Sequence, residues 1–151
     1  MNNAYHTLSI KEPYNYLLHS AINTALYLFV DLTTPLSKSV FNSLVFSLDE
    51  IENLKLRINL AKTEIDLTER EMELIYICHC IAASFANHKE SFFKWLLTYD
   101  NNGNAIADSE DFRKVMFEGQ KTMINIIEES ELYTNQMKQI KLKLIQSIGA
   151  W

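Results

Sequence analysis

Residues 65–86 read Ile65-Asp66-Leu67-Thr68-Glu69-Arg70-Glu71-Met72-Glu73-Leu74-Ile75-Tyr76-Ile77-Cys78-His79-Cys80-Ile81-Ala82-Ala83-Ser84-Phe85-Ala86, and this stretch decides the fold. Thr68 and Glu71 have the spacing of a capping box, in which each side chain meets the other residue's orphan backbone N–H. Leu67 and Met72 flank the box at the spacing of a hydrophobic staple. Glu69, Glu71 and Glu73 crowd the first turns, where the helix dipole favours negative charge. From Leu74 onward the residues are almost all apolar. A helix apolar on every side is a buried helix, and this one is too short and too acid-flanked to cross a bilayer. The expectation is a central helix at about residues 69–86 against which the others pack.

Composition points the same way. The 151 residues suffice for one core, so the expected organisation is a single helical domain over 1–151. Three Gly and two Pro are too few to punctuate a sheet-rich fold. The expected class is all-α: a compact bundle of six or seven helices with no sheet. Residues 1–12 read as a loosely held N-terminal arm, with an extended piece near Tyr5 to Ile10. A net charge of −5 argues against a protein built to hold phosphates, so no nucleic acid partner is expected. The apolar run Leu17 to Leu32 is interrupted by His19, Asn23, Thr24 and Asp31, which argues against a membrane span. Cys78 and Cys80 lie about 200° apart on a helix and cannot bridge each other. Two such thiols, behind an N-terminus that lacks a signal-peptide pattern, suggest a cytoplasmic location.

Pro13 suits the first position of a helix. From Tyr14 to Leu32, Leu17, Leu18, Ala21, Ile22, Ala25, Leu26, Leu28 and Phe29 fall on one side, with Asn15, Tyr16, His19, Ser20, Asn23, Thr24, Tyr27 and Asp31 opposite. A second helix is expected over Leu36 to Phe46. Between Pro13 and Leu48 the formally charged residues are Asp31 and Lys38; at the chain's 22% about eight would be expected. Solvated faces carry Lys and Glu, whereas interface cores are depleted in charge and enriched in aromatics. Two readings fit this span: an inner layer of the bundle, or a surface for another protein or a second copy in a homodimer. On the second reading the interface candidates are Tyr16, His19, Asn23, Tyr27, Ser39, Asn42 and Phe46.

Further on, Asp49 and Glu52 are spaced as a second capping box, for a helix over Glu50 to Lys62 that buries Ile51, Leu54, Ile58 and Ala61. Asn87 and Glu90 form a third, leading to an aromatic-rich helix that ends at Tyr99. From Phe112 a seam alternates steps of four and three: Phe112, Met116, Gly119, Met123, Ile126, Ser130, Tyr133, Met137, Ile140, Leu144 and Ser147. A single helix of that length would be rare in a domain this small. Glu128 to Glu131 suit a fresh cap, so a break near Ser130 is expected.

Residues with chemical potential are few. His79 has Ile75, Tyr76, Ala82 and Ala83 one turn away, none a usual metal ligand, and reads as a satisfied core histidine. Glu69 and Glu73 share a face, but dipole compensation accounts for them. The loop Asp100-Asn101-Asn102-Gly103-Asn104-Ala105-Ile106-Ala107-Asp108-Ser109-Glu110-Asp111 resembles an EF-hand calcium loop. Asp100, Asn102, Asn104, Asp108 and Asp111 stand at oxygen-ligand positions, and the resemblance would make them calcium ligands. Ala105 stands where the sharp turn needs Gly, and Ile106 comes one position early. A polar interhelical turn is therefore the expectation, with no metal and no cofactor. Lys138, Lys141 and Lys143 near the C-terminus suit dipole compensation. There is no Gly-rich phosphate loop, Ser-His-Asp pattern or zinc spacing. The resulting expectation is a non-enzymatic protein–protein interaction module of the immunity, antitoxin or inhibitor kind, or a self-associating one. The alternative is a ligand- or metal-binding bundle with a pocket lined by His19, Tyr27, His79 and Trp95.

Overall fold

The computed structural model describes residues 5–9, 14–30, 47–61, 64–87 and 109–148. Most of these are helical. The elements, in order, are β1 (Tyr5–Ser9), α1 (Tyr14–Val30), α2 (Leu48–Leu60), β2 (Glu64–Thr68), α3 (Glu69–Asn87), α4 (Ser109–Glu128) and α5 (Asn135–Ile148). The expected helices at 36–46 and 90–99 fall outside the described residues.

β1 and β2 form a two-stranded antiparallel ribbon, with Thr7 opposite Asp66 and Leu8 opposite Ile65. The expectation of no sheet is corrected by this ribbon, and no larger sheet occurs among the described residues. Its cause is legible locally. Ile65 and Leu67 are buried while Glu64 and Asp66 are exposed, the alternation of a half-buried strand. The ladder also ties down residues 5–9 of the N-terminal arm.

The chain passes from strand to helix at Thr68. Its hydroxyl accepts from Glu71 N–H at 3.1 Å, and its own N–H donates to Glu71 Oε1 at 3.0 Å, the reciprocal box the sequence proposes. The second box sits two residues earlier than the sequence spacing suggests. Ser47, not Asp49, caps α2, pairing with Glu50. Both frames fit the spacing and both set two acids against the positive dipole end; in the structure the helix begins at Leu48, with Asp49 and Glu50 in its first turn.

Met72 and every residue from Leu74 to Ala86 are buried. Met72, Leu74, Ile75, Tyr76, Ile77, Ile81 and Phe85 are seven large side chains withdrawn from water. At roughly 1.5–3 kcal/mol each, they contribute on the order of 10–20 kcal/mol of gross driving force. Surface ion pairs, worth about 1 kcal/mol or less, do not compete. α3 packs against α1, α4 and α5, and the ribbon lies beside it.

The long seam is two helices, as the sequence suggests, with the turn at residues 129–134. Ser130 Oγ donates to Ile127 O at 2.7 Å and accepts from Leu132 N–H at 3.1 Å, closing α4. The cap of α5 is Thr134, whose hydroxyl accepts from Met137 N–H. On α4 the buried stripe is Arg113, Met116, Gln120, Met123, Ile124 and Ile127, whereas Ile126 is 45% exposed. A straight helix drifts from a strict seven-residue repeat, so the 3.6-residue period displaces the expected seam by one position.

Candidate functional site

Three polar ties link α3 to α4. Tyr76 Oη donates to Glu128 Oε2 at 2.7 Å. His79 Nδ1 lies 2.6 Å from Gln120 Oε1. Arg113 donates through one guanidinium nitrogen to Ala86 O at 2.8 Å. As residue number rises along α3 it falls along α4, so the two helices run antiparallel.

The middle tie reaches a third helix. Gln120 Nε2 donates to Leu17 O of α1 at 3.0 Å, which turns Oε1 toward the imidazole. An amide oxygen only accepts, so Nδ1 carries the proton and Nε2 holds a bare lone pair. His79 is fully buried, and Nε2 has no hydrogen-bond partner. Burial lowers the imidazole to about 4, against a smaller upward pull from the Gln120 hydrogen bond, so the ring is neutral at physiological pH. The satisfied core histidine expected from the sequence is satisfied on one nitrogen only. One Cβ away from this tie, Gly119 brings α4 close to α1: an added methyl would sit 2.7 Å from Leu17 Cδ2.

The thiols are free and buried. Burial pushes Cys78 up to about 12 and Cys80 higher still. Neither is a nucleophile at neutral pH, since the thiolate is the reactive form. Tyr76 is likewise pushed up, first by burial. Its partner Glu128 also accepts from Lys141 Nζ of α5 at 2.9 Å, so one carboxylate joins three helices.

A charged cluster ties α2 to the start of α3. Arg70 pairs with Glu50 at 2.8 Å and Glu73 at 3.5 Å, and Arg57 pairs with Glu71. The Arg70 guanidinium holds the Glu50 carboxyl below its ordinary range. For Glu71, burial pulls upward, but Arg57 and the Thr68 N–H outweigh it and hold the carboxyl low. Glu69 is exposed, and Glu73 faces Arg70.

Among the interface candidates, Tyr16 is 49% exposed and Asn23 is exposed, while His19 is partly buried. Tyr27 is also partly buried and meets Phe85 edge-on at 6.0 Å between centroids. Ser39, Asn42 and Phe46 lie outside the described residues. Thr24, read as part of the polar side, is buried; its hydroxyl donates to Ser20 O at 2.8 Å, satisfying it within the helix. His79 and Phe85 are six residues apart on α3, about 9 Å along the axis, so His79 and Tyr27 engage different levels of the bundle. Trp95, the fourth residue of the alternative pocket, lies outside the described residues. So do the calcium candidates Asp100, Asn102, Asn104 and Asp108. Asp111 is exposed in the first turn of α4. No cluster of three or more metal-ligating side chains occurs among the described residues. No described helix is long and apolar enough to cross a membrane.

Sequence reasoning missed Gln120 and Arg113. Their signal was a polar residue on the apolar stripe of α4, one position from the seam. Comparison with protein families, curated proteins and solved structures finds no match for the chain.

Proposed function

We propose that this chain is a non-enzymatic protein–protein interaction module acting in the cytoplasm. In this reading residues 1–151 form one domain, a bundle of six or seven helices around the buried helix at 69–86. It binds another protein or a second copy through the charge-poor span 13–48. The observation that carries the reading is the outward line of α1. Residues 14–30 contain no Asp, Glu, Lys or Arg, yet Tyr16 and Asn23 on this helix face water. A half-exposed tyrosine and an exposed asparagine, on a helix without charge, have the composition of an interface core. The thiols and His79, the groups best suited to covalent or acid–base work, are withdrawn into the core, which supports a non-enzymatic role.

A photo-cross-linking residue placed at position 16 tests the reading, with the same residue at Leu142, exposed on α5, as control. The expected result is one discrete adduct at position 16, with a second copy or a different protein, and none at 142. Equal labelling at both positions, or none at either, overturns it. The alternative of a ligand- or metal-binding bundle has one observation in its favour, the bare Nε2 of His79. Titration with zinc or cobalt tests it, and an unchanged histidine NMR spectrum rejects it.

A further inference from the structure

We propose that β1 is a self-association edge: two copies pair their β1 strands antiparallel across a two-fold axis at Thr7, making a four-stranded sheet in the order β2-β1-β1-β2. The proposal rests on the reading of the chain as an interaction module, and uses a surface separate from the outward line of α1.

The backbone fixes which residues face outward. In an antiparallel ladder a residue points its N–H and C=O to the same side, and the two residues of a non-hydrogen-bonded pair turn theirs away from each other. Arg57 of α2 donates to Asp66 O at 2.7 Å, so the carbonyl of Asp66 faces α2 rather than β1. Thr7 lies opposite Asp66, and its backbone groups therefore face the other edge of the ribbon. By the same alternation Tyr5 and Ser9 face that edge, while His6 and Leu8 exchange bonds with Leu67 and Ile65. Among the described residues no strand pairs with the outer edge of β1.

The two edges of the ribbon are treated differently. The β2 edge is guarded: Arg57 occupies a carbonyl, and Glu64 and Asp66 place charge along the strand. Charges and covering side chains are how proteins blunt strand edges. The sequence of β1, Tyr5-His6-Thr7-Leu8-Ser9, has no Pro, Lys, Arg, Asp or Glu. A second copy is the occupant this neutrality fits. Centred on Thr7, the strand meets its own copy with Thr7 on Thr7, His6 on Leu8 and Tyr5 on Ser9, and no like charges oppose. The outward groups of those residues then exchange about six backbone hydrogen bonds across the axis. A two-stranded ribbon is marginal alone, and four strands lie within the common range.

The test is the solution mass of the full chain against concentration, by light scattering after size-exclusion chromatography. Wild type, Thr7→Lys, Thr7→Pro and Tyr16→Glu are compared, with circular dichroism to confirm folding. Wild type should approach twice the chain mass as concentration rises. Thr7→Lys sets two ammonium groups on facing positions and should weaken the dimer about five-fold or more. Thr7→Pro removes an outward N–H without touching the β2 ladder and should abolish the dimer. Should the proline variant not fold, the lysine variant decides. Tyr16→Glu should leave the dimer intact, and the Thr7 amide should exchange more slowly as concentration rises. A wild type that stays monomeric overturns the proposal while leaving a different partner open for α1. A dimer indifferent to Thr7→Lys but split by Tyr16→Glu overturns it in favour of α1.

Discussion

Acidification should destabilise this protein through His79. The folded imidazole is lowered to about 4 from an ordinary 6.5, so the unfolded chain takes up the proton first. Stability from the neutral ring is complete above about pH 6.5 and is lost as pH falls from there toward 4. The full difference corresponds to about 3 kcal/mol, of which about 2 kcal/mol is gone by pH 5. That is a large share of a typical folding free energy of about 5–15 kcal/mol. Urea unfolding of wild type and His79→Gln at about pH 7.5 and pH 5 isolates the contribution of His79, because the other three histidines are common to both proteins. The variant should be less stable at neutral pH by about 1–3 kcal/mol, yet lose about 2 kcal/mol less on acidification. Equal losses in both proteins would refute the account. An imidazole nitrogen spectrum gives a second check: the ring should remain in the Nδ1–H form throughout this range.

Other expectations concern the packing around this residue. Gly119→Val should destabilise by about 1–3 kcal/mol in thermal unfolding, because its branched side chain begins where Leu17 Cδ2 already lies. Gly119→Ala should cost less, since the methyl displaces only the tip of Leu17 and the helix gains about 1 kcal/mol of propensity. Tyr76→Phe should cost about 1.5–3 kcal/mol by removing a hydrogen bond to the ionised Glu128, with the loss read from urea midpoints. Cys78 and Cys80 should resist an aromatic disulfide reagent in the native protein and react together once unfolded; fast native labelling of either would show that α3 is not closed to water.

The buried helix was legible in the sequence because its signals agree: a capping box, an acidic first turn and then an unbroken apolar run. The split near Ser130 was legible because one 40-residue helix would far exceed the usual three or four turns, but the true cap, Thr134, lies four residues beyond it. The ribbon was half legible. An extended piece near Tyr5 was readable, but its partner Thr68 lies 63 positions away, and periodicity carries no information about such a pairing. The α2 box shows the limit of spacing rules, since Ser47-x-x-Glu50 and Asp49-x-x-Glu52 both satisfy them. Polar core residues escaped for a related reason. Gln120 looks like a surface residue until α1 and α3 are placed against it.

Those polar residues solve a difficulty that the apolar run creates. A helix apolar on every side is held strongly but without direction, because burial is proportional to area and nearly indifferent to axial slip. Directional bonds supply what burial does not. Tyr76 with Glu128, His79 with Gln120 and Ala86 O with Arg113 fix α4 at three levels along α3. Gln120 to Leu17 O and Glu128 to Lys141 extend that alignment to α1 and α5. Sliding α4 by one turn would leave several buried polar groups unpaired, each at about 1–3 kcal/mol or more, while the apolar area changed little. The alignment of α1 is thus set from the core, and with it the positions of Tyr16 and Asn23 on the outer surface.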